Sequence, residues 1–234
     1  MKNFMVLIKE SFEIYKQKIR SILLLLLIFG VVAAILGGLL GGSMMFSALR
    51  LKDTGATEIT NKALFFSPLV IGIFLVIGLW TIFIGFTFII LAVKPAGTKL
   101  KEIFQEAWKK FGQYLWVVIL TGSFVILASL FLVIPGIIVA IYLSFYSYVF
   151  IIEGEKGMNA LRRSWSLVKG NWWKVFGRLI LLGIVSNIIF FLLSSIHSLP
   201  STIFQFLFIP FNTIFLYLIY QDLKKSKEIQ TLTP

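Results

Sequence analysis

Phe111–Ile152, FGQYLWVVILTGSFVILASLFLVIPGIIVAIYLSFYSYVFII, contains no Asp, Glu, Lys or Arg. A helix needs roughly 20 apolar residues to cross about 30 Å of hydrocarbon, so this run is long enough for two crossings. Pro135-Gly136 divides it. Proline cannot donate a backbone hydrogen bond and glycine tolerates turn geometry, so the pair is expected to turn the chain between spans at about 114–134 and 137–152.

Three more charge-free runs surround this one, at residues 21–49, 63–93 and 179–221. The first two each fit one span, at about 21–45 and 64–93. The third fits a hairpin, divided at His197-Ser198-Leu199-Pro200 into spans of about 175–196 and 201–220. The fold class expected is therefore all-α, a bundle of six transmembrane helices forming one integral membrane domain over residues 1–234, with a tail at 222–234.

Composition points the same way. With 59% hydrophobic and 14% charged residues, a water-soluble chain of this length could not cover its own core with polar surface. The absence of cysteine excludes disulfides, thiolate metal sites and a cysteine nucleophile. A net charge of +12 raises the question of nucleic acid. The basic residues, however, border apolar spans and alternate with interfacial aromatics, so an anionic phospholipid surface is the partner expected.

The charges also carry orientation. Nineteen of the 22 Lys and Arg residues fall in Lys2–Arg20, Lys94–Lys110, Lys156–Arg178 and Lys224–Lys227, against Arg50, Lys52 and Lys62 in the opposite loop. The positive-inside rule then places both termini and the two basic loops on the cytoplasmic side of the cell's inner membrane.

Three of the basic stretches have amphipathic periodicity and lead into spans, as helices lying in the membrane interface do. Phe4, Ile8, Phe12, Tyr15 and Ile19 form one face of the first; Leu100, Ile103, Phe104, Ala107, Trp108 and Phe111 that of the second. In the third, Met158, Leu161, Trp165, Val168 and Trp172 recur at three- and four-residue spacing. Each contains a small residue, an aromatic, and a bulky residue three further on: Ser11-Phe12 with Tyr15, Ala107-Trp108 with Phe111, Ser164-Trp165 with Val168. Either one unit is repeated three times, or interface helices converge on one pattern.

Within the spans, Gly37-x-x-x-Gly41 and Gly38-x-x-x-Gly42 overlap, a spacing that lets helix backbones approach closely. Packing within the chain is expected there, with a homo-oligomer or a membrane-protein partner as the alternative. No span holds an ionisable Asp, Glu, Lys or Arg, the groups that ion-coupled transporters keep at membrane depth. Asn187 is expected to bond between helices, and His197 to sit at an outer turn. Tyr142 and Tyr146 share a face in the fourth span, which is expected to look into the bundle.

The densest cluster of basic and aromatic residues is Ala160-Leu161-Arg162-Arg163-Ser164-Trp165 with Val168-Lys169-Gly170-Asn171-Trp172-Trp173. Arg162, Arg163, Lys169, Lys174 and Arg178 are candidates for lipid phosphates, arginine by its bidentate fork and lysine as a point charge. Trp108, Trp165, Trp172 and Trp173 are candidate interfacial anchors. The bland reading is generic anchoring, because each basic residue near an anionic surface contributes about 1 kcal/mol whatever the head group. Glu153 is expected to pair locally.

The run Ile134-Pro135-Gly136, Val149, Glu153-Gly154, Ala160–Trp165, Lys169-Gly170 and Trp173-Val175-Phe176-Gly177 resembles a bacterial and archaeal membrane-domain family. That family is named after the membrane domain of glycerophosphoryl diester phosphodiesterases. The resemblance implies a six-helix inner-membrane protein. It does not bring the enzyme with it, because in the two-part phosphodiesterases a separate soluble barrel uses His, Glu and Asp around a metal, and this chain has one His. The sequence has no visible nucleophile–base pair, metal-ligand spacing or phosphate-cradling loop. The expectation is a non-enzymatic protein without cofactor or metal that binds or organises anionic phospholipid. A lipid or small-solute permease and an accessory subunit of a larger complex are the alternatives.

Overall fold

Among the described residues, every apolar run forms helix. The computed structural model describes residues 2–53, 68–196 and 198–232. Helix α1 is Phe4–Asp53, α2 Pro68–Val93, α3 Leu100–Phe131, α4 Val133–Leu143, α5 Gly157–Val168, α6 Trp172–Ile196 and α7 Ser198–Leu232. A helical turn at Tyr146–Tyr148 and a π-turn at Val149–Glu153 extend α4. Six stretches are long and apolar enough to cross a membrane: Phe4–Ile35, Leu75–Val93, Leu100–Leu130, Val133–Glu153, Trp172–Ser195 and Ser201–Ile229. His197 lies outside the described residues, between α6 and α7.

The sequence reads as one domain; its helices group into two compact units. One is Arg20–Gly85, in which Phe29 meets the Trp80 ring edge-on at 5.5 Å. The packing expected at the glycine pairs is not found here. A Cβ built at Gly37 or Gly38 would meet nothing within 4 Å among the described residues, and the surroundings of Gly41 and Gly42 lie outside the described part.

The other unit is Met1–Ile19 with Phe86–Pro234. Its core joins the amphipathic stretches to the C-terminal halves of α2, of the α4 extension and of α7. Phe86 stacks on Tyr114 at 4.0 Å, Tyr148 lies 5.9 Å from Tyr220, and Phe145, Val149, Phe215 and Ile219 are fully buried. The buried phenols keep partners, as apolar surroundings demand. Tyr114 Oη and Ser147 Oγ are 3.1 Å apart, and Tyr148 Oη donates to Thr213 O at 2.7 Å. The expectation that the tyrosine-bearing fourth span looks inward is met from Ser147 to Phe150, all buried.

The three amphipathic stretches share one burial pattern. The small residues Ser11, Ala107 and Ser164 are fully buried, as are Leu7, Ile103 and Ala160 one turn before them. Seven residues further on, Lys18, Tyr114 and Asn171 are buried as well. The aromatics that follow the small residues, Phe12, Trp108 and Trp165, are all exposed. The first two stretches nevertheless run without interruption into their long helices, α1 and α3. Only the third is a separate helix, α5, which stops at Val168 before α6 begins.

Two sequence expectations are corrected. The reversal between α3 and α4 falls at Leu132, whose backbone is extended, not at Pro135-Gly136. Pro135 occupies the first turn of α4, where its missing N–H would have no helical partner anyway. Gly136 is required for packing: a Cβ there would sit 2.0 Å from Ser129 Oγ. Asn187 does not bond between helices. Its Nδ2 donates to Gly183 O of its own helix at 2.8 Å.

Candidate functional site

The break between α5 and α6 starts at Lys169. Lys169 leaves helical geometry, Gly170 has φ +87°, and the carbonyl of Asn171 accepts the first N–H groups of α6, from Lys174 at 3.0 Å and Val175 at 3.1 Å. A positive φ suits glycine, which has no Cβ to clash. In the burial register, the positions matching Gly170 are Gln17 and Gln113, both inside continuous helix. The third stretch therefore breaks where the other two continue.

The break opens a groove of about 1000 Å³ between α4 and α6. Ile134, Ile137, Ile138 and Tyr142 line it from α4, Phe176 and Ile180 from α6, and Gly170 to Lys174 at one end. The lining is apolar apart from the Tyr142 hydroxyl, Asn171, Lys174 and two indoles. Trp172 stacks on Phe176 at 4.8 Å, and its Nε1–H is buried without a hydrogen-bond partner. A buried unpaired donor costs about 1–3 kcal/mol. The first N–H groups of any helix also lack partners within it and carry its positive dipole end.

A second, smaller cavity of about 480 Å³ lies among α3, α4 and α5. Leu127, Val139, Leu143, Met158, Arg162 and Trp165 contribute to its wall. Trp165 lies flat on Tyr142, with ring centroids 4.0 Å apart and planes 12° from parallel. Tyr142 lines the larger groove and Trp165 the smaller, so this stack joins a wall residue of one to a wall residue of the other.

The five candidate cations separate into two groups. Arg162, Lys169 and Lys174 are exposed and form no ion pair among the described residues. Arg163 and Arg178, by contrast, are already engaged with carboxylates of the chain itself. Arg163 Nε donates to Glu153 Oε2 at 2.7 Å, and the carboxylate holds the guanidinium above its ordinary pKa against the opposing effect of burial. Tyr220 Oη donates to Glu153 Oε1 at 2.7 Å, with Lys224 Nζ at 3.6 Å. Expected to cap or pair at the helix start, Glu153 pairs instead with α5 and α7 and ties the two together.

Arg178 is buried. Its Nη1 donates to Asp222 Oδ2 at 3.0 Å and its Nη2 to Lys2 O, while Lys2 N donates to Asp222 Oδ2 at 2.9 Å. The start of α6, the chain before α1 and α7 meet at this carboxylate. Asp222 follows an apolar run and precedes three lysines, and nothing in its local sequence marks it as a buried partner.

Lys18 also escaped the sequence reading. Its buried Nζ donates to the carbonyls of Leu91, Ala92 and Lys94 at 2.7, 2.8 and 2.5 Å, capping the C-terminal end of α2. Cations are favoured there by the helix dipole.

Among the tryptophans, Trp108 and Trp173 expose about three-quarters of their surface, as interface anchors would. Trp165 and Trp172 are held in the stacks described above.

No curated protein and no solved structure matches this chain. A protein-family model described as "Domain of unknown function (DUF7847)" matches residues 62–220, which include both grooves and the break between α5 and α6. The chain belongs to that family.

Proposed function

We propose that this chain is a non-enzymatic, multi-pass protein of the cytoplasmic membrane that binds anionic phospholipid at the break between α5 and α6. The observation carrying this reading is the conjunction at one end of the larger groove. A helix start, Lys174, two tryptophans and an unpaired indole N–H adjoin an apolar channel of about 1000 Å³. An acyl chain fits the channel, while phosphate and ester oxygens would take the cation and the free donors.

The bias of 19 Lys and Arg residues against 3 supports placing this end, and both termini, on the cytoplasmic side. The resemblance of residues 134–177 to the phosphodiesterase membrane-domain family belongs to the same proposal. Docking of a membrane-protein partner or a second copy at Gly37 and Gly38 is a further role in this proposal; a Cβ at either would meet nothing within 4 Å among the described residues.

Quantitative lipid mass spectrometry on protein purified in mild detergent tests the reading. Wild type should retain anionic lipid above its share of the bulk membrane. Lys169→Ala with Lys174→Ala should cut that enrichment by about thirtyfold, from ~1 kcal/mol per lysine. A wild-type profile equal to the bulk membrane would reject lipid binding.

A further inference from the structure

The larger groove has a neighbour on another face of the same helix. Ile134, Ile138 and Tyr142 of α4 look into the larger groove, and Val139 and Leu143 line the smaller one. Helix α4 itself lies between the two, and the Tyr142–Trp165 stack, two flat rings, joins a wall residue of one to a wall residue of the other. Each groove is lined by one cation without an ion pair among the described residues, Lys174 in the larger and Arg162 in the smaller, and neither lining contains an Asp or Glu.

Arg162 is adjacent to Arg163, which Glu153 holds at 2.7 Å. The same helix thus ties one arginine into the fold and leaves the other beside an apolar cavity. Lys169 lies seven residues beyond Arg162, about 10 Å along a helix axis, towards the larger groove.

We propose that the two grooves are two halves of one site, and that its occupant is an anionic phospholipid carrying two phosphates, a cardiolipin. Its acyl chains divide between the grooves on either side of the Tyr142–Trp165 stack. One phosphate meets the bidentate fork of Arg162, and the other meets Lys174 with Lys169. A lipid with a single phosphate neutralises one cation and leaves the other groove without a head group of its own. This inference rests on the lipid-binding reading and names its ligand.

Native mass spectrometry of the full chain, in competition between cardiolipin and phosphatidylglycerol at equal total phosphate, separates the two claims. Wild type should retain cardiolipin about fivefold over phosphatidylglycerol, the factor that ~1 kcal/mol for one further basic contact converts to. Arg162→Ala should abolish that preference by lowering cardiolipin retention to the level of phosphatidylglycerol. Leu127→Trp, which fills the smaller groove with charge conserved, should do the same. Equal retention of both lipids by wild type, or an Arg162→Ala effect common to both, overturns the two-phosphate site while lipid binding stands. If neither lipid displaces phosphatidylcholine, the lipid-binding reading falls and takes this inference with it.

Discussion

The first and third amphipathic stretches bury the same positions and end differently. Leu7, Ser11 and Lys18 in one correspond to Ala160, Ser164 and Asn171 in the other, all buried. Yet α1 continues straight through, while the third stretch stops at Val168 and restarts at Trp172. The sequences differ where the backbone does: glutamine stands at 17, glycine in left-handed geometry at 170, just after Lys169 leaves the helix. A shared core pattern therefore does not make the copies equivalent. The stretch that breaks is the one that acquires a second helix start and a groove beside it.

A broken helix needs other restraints, and the largest expected effect lies there. In continuous α1 the fourteenth residue after the small position is Leu25, and in the third copy it is Arg178, tethered to Asp222. Removing one partner of a buried pair costs about 3–5 kcal/mol. Asp222→Ala should therefore lower the thermal midpoint in detergent strongly. A midpoint within a degree of wild type would show that the tether does not hold α6.

Ser164 and Ser11 give a finer test. Ser11 Oγ donates to Leu7 O of its own helix, a bond the helix does not need. Ser164 Oγ accepts from Phe145 N at 3.2 Å and donates to Tyr142 O at 2.9 Å. Phe145 follows the end of α4, so its N–H has lost its place in the helical ladder. Ser164→Ala should cost about 1–3 kcal/mol and Ser11→Ala well under half of that. Equal losses would mean that the two copies are held alike.

Gly170→Gln gives the third copy the residue found in the other two. Left-handed geometry costs a non-glycine residue about 1–2 kcal/mol, so a modest destabilisation should accompany loss of anionic-lipid enrichment. Full enrichment in this variant would separate the site from the break.

The helices were legible because charge and hydropathy are local properties: four uncharged runs contain most of the six apolar stretches. The reversal was misplaced by three residues because proline is tolerated in the first turn of a helix, and Gly136 is there for its closeness to Ser129. At the candidate site, sequence picked out the basic segment but not which of its cations pair within the chain. Arg163 and Arg178 look like Arg162 and Lys174 in any window, and their partners Glu153 and Asp222 lie 10 and 44 residues away. Which cation is free is a property of the packed core. The groove was equally hidden, since Ile134 and Ile180 become neighbours of one cavity only after α4 and α6 pack.

The claim that the break makes the site is most directly tested with an anionic phospholipid carrying a photoactivatable group at its head. After irradiation, adducts should concentrate at Gly170–Lys174, with few at the matching Gln113–Val117 of the continuous copy. Adducts spread equally over both segments would contradict it, and the basic stretches would then be interchangeable anchors.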